Sequence, residues 1–264
     1  TRGNVPDISN SPTALLSPKV MVIEFRPDAV PAQWAKTENL VRDYISTMRM
    51  ISSDALIYVV TEMVTVKKFP LLMDGRQYDN ASWNAAWKND RLAYRDDNQN
   101  YLFADYQQII KDFDIINKIE DQFIDEVWMF GAPYFGFYES RMVGSRAYWC
   151  NAPAIEMNCR KFVMMGFNYE RSVKEMVHDF GHRAESILSN HFGSQPFMQM
   201  LYSAKINVSL NTNHPKNEFE LFLQTHGTVH RVPGGVEYGQ DEISWLKALK
   251  PAWLPVVADP NLVE

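Results

Sequence analysis

Two histidines and two glutamates recur at helical spacing in residues 168–188, NYERSVKEMVHDFGHRAESIL. At about 100° per residue, one helix face carries four ionisable side chains, Glu175, His178, His182 and Glu185, and the opposite face is apolar. Histidines four residues apart on a helix are close enough for both rings to bind one metal ion. The pattern predicts a helix that binds a divalent metal such as zinc, with His178 and His182 as ligands.

The motif HDFGH is similar to the zinc-protease pattern HExxH, but the match is incomplete. Asp179 stands at the glutamate position, and its shorter side chain would hold a carboxylate base farther from a water on the metal. In the register Glu175-x-x-His178 of the longer zinc-protease motif, Lys174 stands where the first histidine belongs. Three interpretations therefore stay open: a metal site, a metal-free catalytic or ligand-binding His/Glu cluster, and an ordinary solvated helix face.

Loops supply further side chains for a site on this helix. A carboxylate in the glycine-rich, aromatic residues 131–144 and a histidine far along the chain complete the hypothesis. The predicted catalytic residues are Glu139, Glu175, His182, Glu185 and His230, where Glu175 and Glu185 serve as ligands or as orienting carboxylates. The predicted substrate-binding residues present aromatic rings or follow a strand, and they are Tyr134, Phe135, Tyr138, Asn168 and Glu170. The aromatic rings could instead pack over the end of the sheet.

The elements that position these side chains alternate between buried strands and amphipathic helices. Short apolar runs predict strands at residues 19–25, 55–66, 126–130 and 162–166. Helical periodicity predicts helices at residues 33–51, 106–123 and 168–189. This order predicts an α/β fold with a mainly parallel sheet flanked by helices. Ligands of such sheets bind beyond the carboxyl ends of the strands, which here means residues 131–140 and 167–171.

We interpret residues 1–264 as a single α/β domain with three less regular parts. Residues 1–18 are predicted to form an extended N-terminal segment. Residues 70–100 form a polar insertion, with a short helix predicted around Trp83 and Trp87. Residues 193–264 are predicted to be irregular, with possible short elements.

Composition limits the partners. The chain has a formal net charge of −6 and no basic stripe, so nucleic acid and anionic membrane are unfavourable partners. No run of about 18 apolar residues is present, so no transmembrane segment is predicted. The expected ligand is a small molecule, a glycan or a peptide, and a homo-oligomer or an extracellular assembly stays open.

Cysteine usage and sequons indicate export. Cys150 and Cys159 are the two cysteines of the chain, and a disulfide between them would stabilise the fold by roughly 2–3 kcal/mol. The alternative is two unrelated buried thiols. Asn80 and Asn207 begin sequons for N-glycosylation, and the chain opens without an initiator Met, as a processed N terminus would. These observations predict a secreted or extracellular protein.

Four sequence blocks resemble segments of large uncharacterised bacterial secreted proteins: EVWMFGAPYFGFYES, YWCNAP, CRKFVMMGFNYERSVKEMVHDFGHRAES and GTVHRVP. The resemblance covers roughly residues 120–235. It implies export and a common role for the four blocks, but it implies no reaction.

The leading functional hypothesis is an exported hydrolase, metal-dependent in one version, that uses the His/Glu cluster of one helix. The rival is a non-catalytic extracellular module that binds glycans or has a structural role in an assembly, and it depends on the exposed aromatic side chains expected in the loops. Convergence of the histidines with Glu139 in a cleft would favour the enzyme, and histidines that face bulk water would favour the module.

Overall fold

Buried apolar runs pair into one mixed sheet in this computed structural model, which describes residues 15–194, 215–232, 235 and 239–262. The predicted α/β class is confirmed: a six-stranded, mostly parallel sheet is flanked by helices. Most of the predicted N-terminal segment, residues 1–14, and much of the predicted irregular region lie outside the described residues.

The strands are β1 (Lys19–Phe25), β2 (Val59–Val66), β3 (Glu126–Gly131), β4 (Ser140–Gly144), β5 (Ile155–Glu156) and β6 (Phe162–Asn168). Their order in the sheet is β2-β1-β3-β6-β4-β5. The first four strands in this order run parallel, whereas β4 runs antiparallel to β6. The carboxyl ends of β3 and β6 and the start of β4 therefore lie at the same edge of the sheet, where the sequence predicts the site.

The α-helices are α1 (Thr37–Ile51), α2 (Asn80–Lys88), α3 (Tyr106–Asp112), α4 (Ile115–Glu120), α5 (Val173–His191), α6 (Glu218–His226), α7 (Gln240–Lys247) and α8 (Leu254–Ala258). The helix predicted at residues 106–123 is divided, because Asp114 has a φ of 53°, which an uninterrupted right-handed helix does not contain. The described part of the predicted irregular C-terminal region contains short elements, the helices α6, α7 and α8, whose positions the sequence analysis did not predict.

The predicted polar insertion contributes to the core as well as to the surface. Asp79 and Ser82 form a capping box that starts α2, and this helix places the fully buried Trp83 against Phe69 and Phe135. The indole Nε1 of Trp83 donates a hydrogen bond to the carbonyl of Pro133 at 2.9 Å. The insertion therefore supports the loop that follows β3.

Helix α5 is buried on nearly all sides. From Met176 to Ser189, Ser186 alone keeps intermediate exposure. Its Arg183 is 1 % exposed and donates to Glu126 of β3 at 2.7 Å and to the carbonyls of Val257 and Ala258. Because an unpaired buried charge is strongly destabilising, this ion pair ties the sheet, α5 and the C-terminal helix together.

The predicted disulfide is absent. Cys150 and Cys159 are both buried free thiols. Cys150 contacts Ser140 at the start of β4, whereas the carbonyl of Cys159 accepts a hydrogen bond from Ser145, just after its end. The two cysteines therefore lie against opposite ends of β4, a strand roughly 15 Å long. This separation is beyond the reach of a disulfide. The main argument for export is lost with this bond. Among the described residues, no helix combines the length and apolar character needed to span a bilayer.

Thiol titration checks this correction. Burial raises the pKa of Cys150 to about 11, so almost no reactive thiolate forms there at neutral pH. We expect two thiols to react with Ellman's reagent in denaturant without reductant, and slow reaction in the native protein. Two thiols that appear only after reduction would show that the bridge exists.

Glu24 is a buried carboxyl group of β1, 5 % exposed. Burial would raise its pKa, but hydrogen bonds from Thr37, Arg26 and Thr65 outweigh burial and lower the pKa below its ordinary value. A carboxyl group whose pKa is lower in the folded state than in the unfolded state stabilises the fold at pH values above its unfolded pKa. This contribution is lost as the pH falls through its folded pKa.

We therefore expect Glu24→Gln to reduce the free energy of unfolding by about 1–3 kcal/mol at pH 7. The difference from the parent should shrink below about pH 4. Urea unfolding at both pH values measures this, with the exposed Glu38→Gln as the control. An equal difference at both pH values would contradict the ionised role of Glu24.

Candidate functional site

Three histidines from two distant parts of the chain meet at the middle of α5. One imidazole nitrogen from each of His178, His182 and His230 lies within 4.8 Å of the other two. His178 is 1 % and His182 is 5 % exposed, while His230, on the short 3-10 turn Val229–Arg231, is exposed. The trio therefore has a protein-enclosed side and a side that opens toward solvent.

A carboxylate holds the Nδ1 atom of each buried histidine. The Nδ1 atom of His178 lies 2.5 Å from Oε1 of Glu242, and that of His182 lies 3.2 Å from Oε2 of Glu185. An ionised carboxylate only accepts hydrogen bonds, so it favours a proton on Nδ1 and leaves the Nε2 lone pair unprotonated.

The two Nε2 atoms face each other at 3.0 Å. Two unprotonated nitrogens repel at this distance unless a proton or a metal cation lies between them. Two imidazole ligands on a tetrahedral zinc, each about 2.0–2.1 Å from it, are separated by about 3.3 Å. The observed separation is close to that value, so the pair is arranged as metal ligands are.

Glu185 also positions the third histidine. Its Oε1 atom accepts a hydrogen bond of 2.8 Å from the backbone N–H of Val229, the residue before His230. Gly181 permits this approach, because a Cβ atom there would lie 2.6 Å from Cγ2 of Val229. Glycine within a helix costs about 1 kcal/mol relative to alanine, and here it allows the histidine-bearing turn to pack on α5.

Glu242 is the functional residue that sequence reasoning missed. It is 2 % exposed on α7, within the region predicted to be irregular. Its second oxygen, Oε2, has no hydrogen-bond partner in the described part of the chain. The pattern QDEISWLK, with acidic residues in the first turn and apolar Ile243 and Leu246 three apart, could have predicted the helix. It could not have predicted that Glu242 packs on His178.

Glu139 stands near the trio at the start of β4. Its Oε2 atom lies 3.8 Å from Nε2 of His182 and accepts a hydrogen bond from the side-chain amide of Asn151. Its side chain is 43 % exposed. Gly166 allows this placement, because a Cβ atom there would lie 2.3 Å from the carbonyl oxygen of Tyr138.

The electrostatics of the site favour a cation. Burial lowers the pKa of His182, but its hydrogen bond to Glu185 and the charges of Glu185, Glu139 and Glu242 outweigh burial, so the pKa is raised. Carboxylates thus surround the imidazoles, and positive charge among the three rings is stabilised.

A cleft of about 230 Å³ adjoins this cluster, between the loop after β3, the end of β6 and the first turns of α5. Glu139 lines the cleft and also faces the histidines. The predicted substrate-binding residues Tyr134 and Asn168 line it as well. Asp179 is 9 % exposed and lines its inner wall. Burial and the neighbouring charge of Glu139 raise the pKa of Asp179 well above its ordinary value.

Four other predicted site residues lie outside the histidine cluster. Glu175 belongs to the capping box of α5, where its carboxylate accepts from the N–H and hydroxyl of Ser172. Phe135 is buried in the core, Tyr138 stacks on Phe103 with ring centroids 4.0 Å apart, and Glu170 is exposed outside the lining of the cleft. The structure therefore unites Glu139, His178, His182, Glu185 and His230, and leaves these four out of the histidine cluster.

Comparison of the chain with protein-family models, with curated proteins and with solved structures finds no match. The similarity of four blocks to bacterial secreted proteins therefore stays a prediction.

Gly181→Ala tests how the third histidine is positioned. Alanine within a helix normally adds about 1 kcal/mol of stability over glycine, but here its Cβ would clash with the stiff side chain of Val229. We expect the substitution to destabilise the protein by roughly 1–3 kcal/mol, measured by urea unfolding.

Val229→Ala combined with Gly181→Ala is the matched control, because it removes the clashing methyl groups. The double variant should be more stable than the sum of the single effects predicts, as expected for residues in contact. A Gly181→Ala variant that is more stable than the parent would contradict the close packing.

Proposed function

We propose that this protein is a metal-dependent hydrolase whose divalent cation is held by His178, His182 and His230. The observation that carries the proposal is the pair of Nε2 atoms 3.0 Å apart, each on a ring whose Nδ1 atom faces a buried carboxylate. Orientation of ligand histidines by carboxylates is the usual arrangement around protein zinc.

The donor set suits zinc. Three imidazoles are the protein ligands of one well-known class of catalytic zinc site, in which a fourth position stays open for water or substrate. Imidazole also binds Fe²⁺, Ni²⁺ and Cu²⁺. The solvent-facing side of the trio, beside His230 and Glu139, supplies the open position.

Residues around the trio are placed for hydrolysis. When bound, the metal would lower the pKa of a water molecule and polarise the bond to be broken. Glu139, held by Asn151, is positioned to accept the proton of that water as a general base. Glu139 also lines the cleft that contains Asp179 and Tyr134, so a substrate held there would lie beside this general base. Glu185 and Glu242 keep the imidazoles oriented throughout.

The rival binding module is less favoured by the position of the aromatic rings. Phe135, which was predicted to bind substrate, and Trp83 of the insertion are buried and pack against each other. Trp87 stacks with Trp83 and keeps 39 % exposure. The polar groups, by contrast, converge beside an open cleft. This distribution supports an enzyme more than a glycan-binding module.

Metal binding tests the proposal. We expect the chelator-treated protein to bind one equivalent of Zn²⁺ in isothermal titration calorimetry, confirmed by elemental analysis. His178→Gln and His182→Gln should each weaken binding at least 100-fold, because each removes a ligand. Glu242→Gln should weaken it about 10–100-fold, because it removes an orienting carboxylate. His191→Gln, at the exposed end of the same helix, is the matched control and should bind zinc as the parent does.

Absence of zinc binding by the folded parent would refute the metal site. Equal loss of affinity in His191→Gln would mean that zinc binds elsewhere on the surface. Hydrolysis assays with ester, amide and phosphate substrates then test the reaction, and the His182→Gln variant, which lacks a metal ligand, is expected to be inactive.

A further inference from the structure

The cleft beside the histidines carries an excess of acidic groups. Three carboxyl side chains line it, Glu139, Glu175 and Asp179, and Arg171 is its one basic lining residue among the described residues. The carboxylates of Glu185 and Glu242 lie behind the histidines that adjoin it. The charges around the cleft thus favour a positively charged or donor-rich ligand over an anion.

The start of α5 does not offer an anion site. A free helix N terminus attracts phosphate or carboxylate groups through its unpaired N–H groups. Here Ser172 accepts from the N–H of Lys174, and Glu175 accepts from the N–H of Ser172. The protein's own carboxylate therefore occupies the position that an anionic ligand would take.

Asp179 is a nearly buried carboxyl group on the wall of the cleft. Its side chain lines the cleft at 9 % exposure, and no described residue donates a hydrogen bond to it or forms an ion pair with it. A carboxyl group with so little exposure is poorly hydrated, and hydrogen-bond donors stabilise such a group. A ligand that brings a cationic donor into the cleft would supply this stabilisation.

The cleft also has room and surfaces for a short alkyl chain that ends in a cation. Tyr134 and Phe137 line it with aromatic rings, and ring faces attract ammonium and guanidinium groups. Its volume of about 230 Å³ is smaller than a typical drug-sized pocket and suits one side chain rather than a polymer segment.

We propose that this cleft recognises a protonated amine or guanidinium group of the substrate, paired with Asp179. Since Glu139 lines this cleft and lies 3.8 Å from Nε2 of His182, this inference rests on the proposed hydrolase and names its substrate class: a compound with a basic side chain near the bond that is hydrolysed.

Binding of matched small probes tests the inference. n-Butylguanidinium is the cationic probe, n-butylurea is its neutral isostere and pentanoate is the anionic probe. We expect n-butylguanidinium to bind the parent protein at least tenfold more tightly than the other two, measured by NMR titration. Asp179→Asn should weaken this binding at least tenfold, whereas the exposed Asp97→Asn should leave it unchanged.

Arg171→Gln is a second test that does not depend on whether Asp179→Asn folds, because Arg171 is exposed. Removal of this positive charge should tighten n-butylguanidinium binding several-fold. Butylurea binding as tight as butylguanidinium binding, tighter pentanoate binding, or weaker cation binding by Arg171→Gln would each overturn the inference.

Zinc affinity measured on the same samples separates the two proposals. Cation binding without zinc binding would support the cleft and refute the metal-dependent hydrolase. Zinc binding without preference for the cationic probe would refute the substrate class and leave the metal site standing.

Discussion

Two imidazole rings that face each other nitrogen to nitrogen, with a carboxylate behind each, are the constraint on which the site depends. The carboxylates of Glu185 and Glu242 favour a proton on the far side of each ring, so two lone pairs are left 3.0 Å apart. Such a pair is unfavourable without positive charge between the rings. Buried His178 and His182 are thus held in an arrangement that a cation stabilises.

The fold maintains this arrangement by burying both faces of one helix. The Arg183–Glu126 ion pair fixes α5 on the sheet, and α7 brings Glu242 onto its opposite side. Gly181 lets the turn that carries His230 approach the same helix. Each contact links segments far apart in the chain, so loss of packing anywhere around α5 would also separate the ligands.

Sequence patterns predicted those features that local periodicity determines. Strand β1 matches its predicted residues, and the four-residue spacing of His178 and His182 identified the helix face that carries the site. Features that depend on long-range packing were not predictable. The pairing of Glu242 with His178 requires α7 to fold onto α5, and the burial of Phe135 requires the insertion to cover it. The cysteines were predicted to pair because an exported protein could bridge them, but they lie against opposite ends of β4.

The most direct measurement is long-range ¹H–¹⁵N NMR of the histidine rings with and without Zn²⁺. We expect His178 and His182 to carry their proton on Nδ1 in the zinc-free protein at neutral pH or to share a single further proton between their Nε2 atoms. On addition of zinc, the Nε2 resonances of both should shift to metal-bound positions while Nδ1 stays protonated. Nε2 resonances that do not respond to zinc, or coordination through Nδ1, would contradict it.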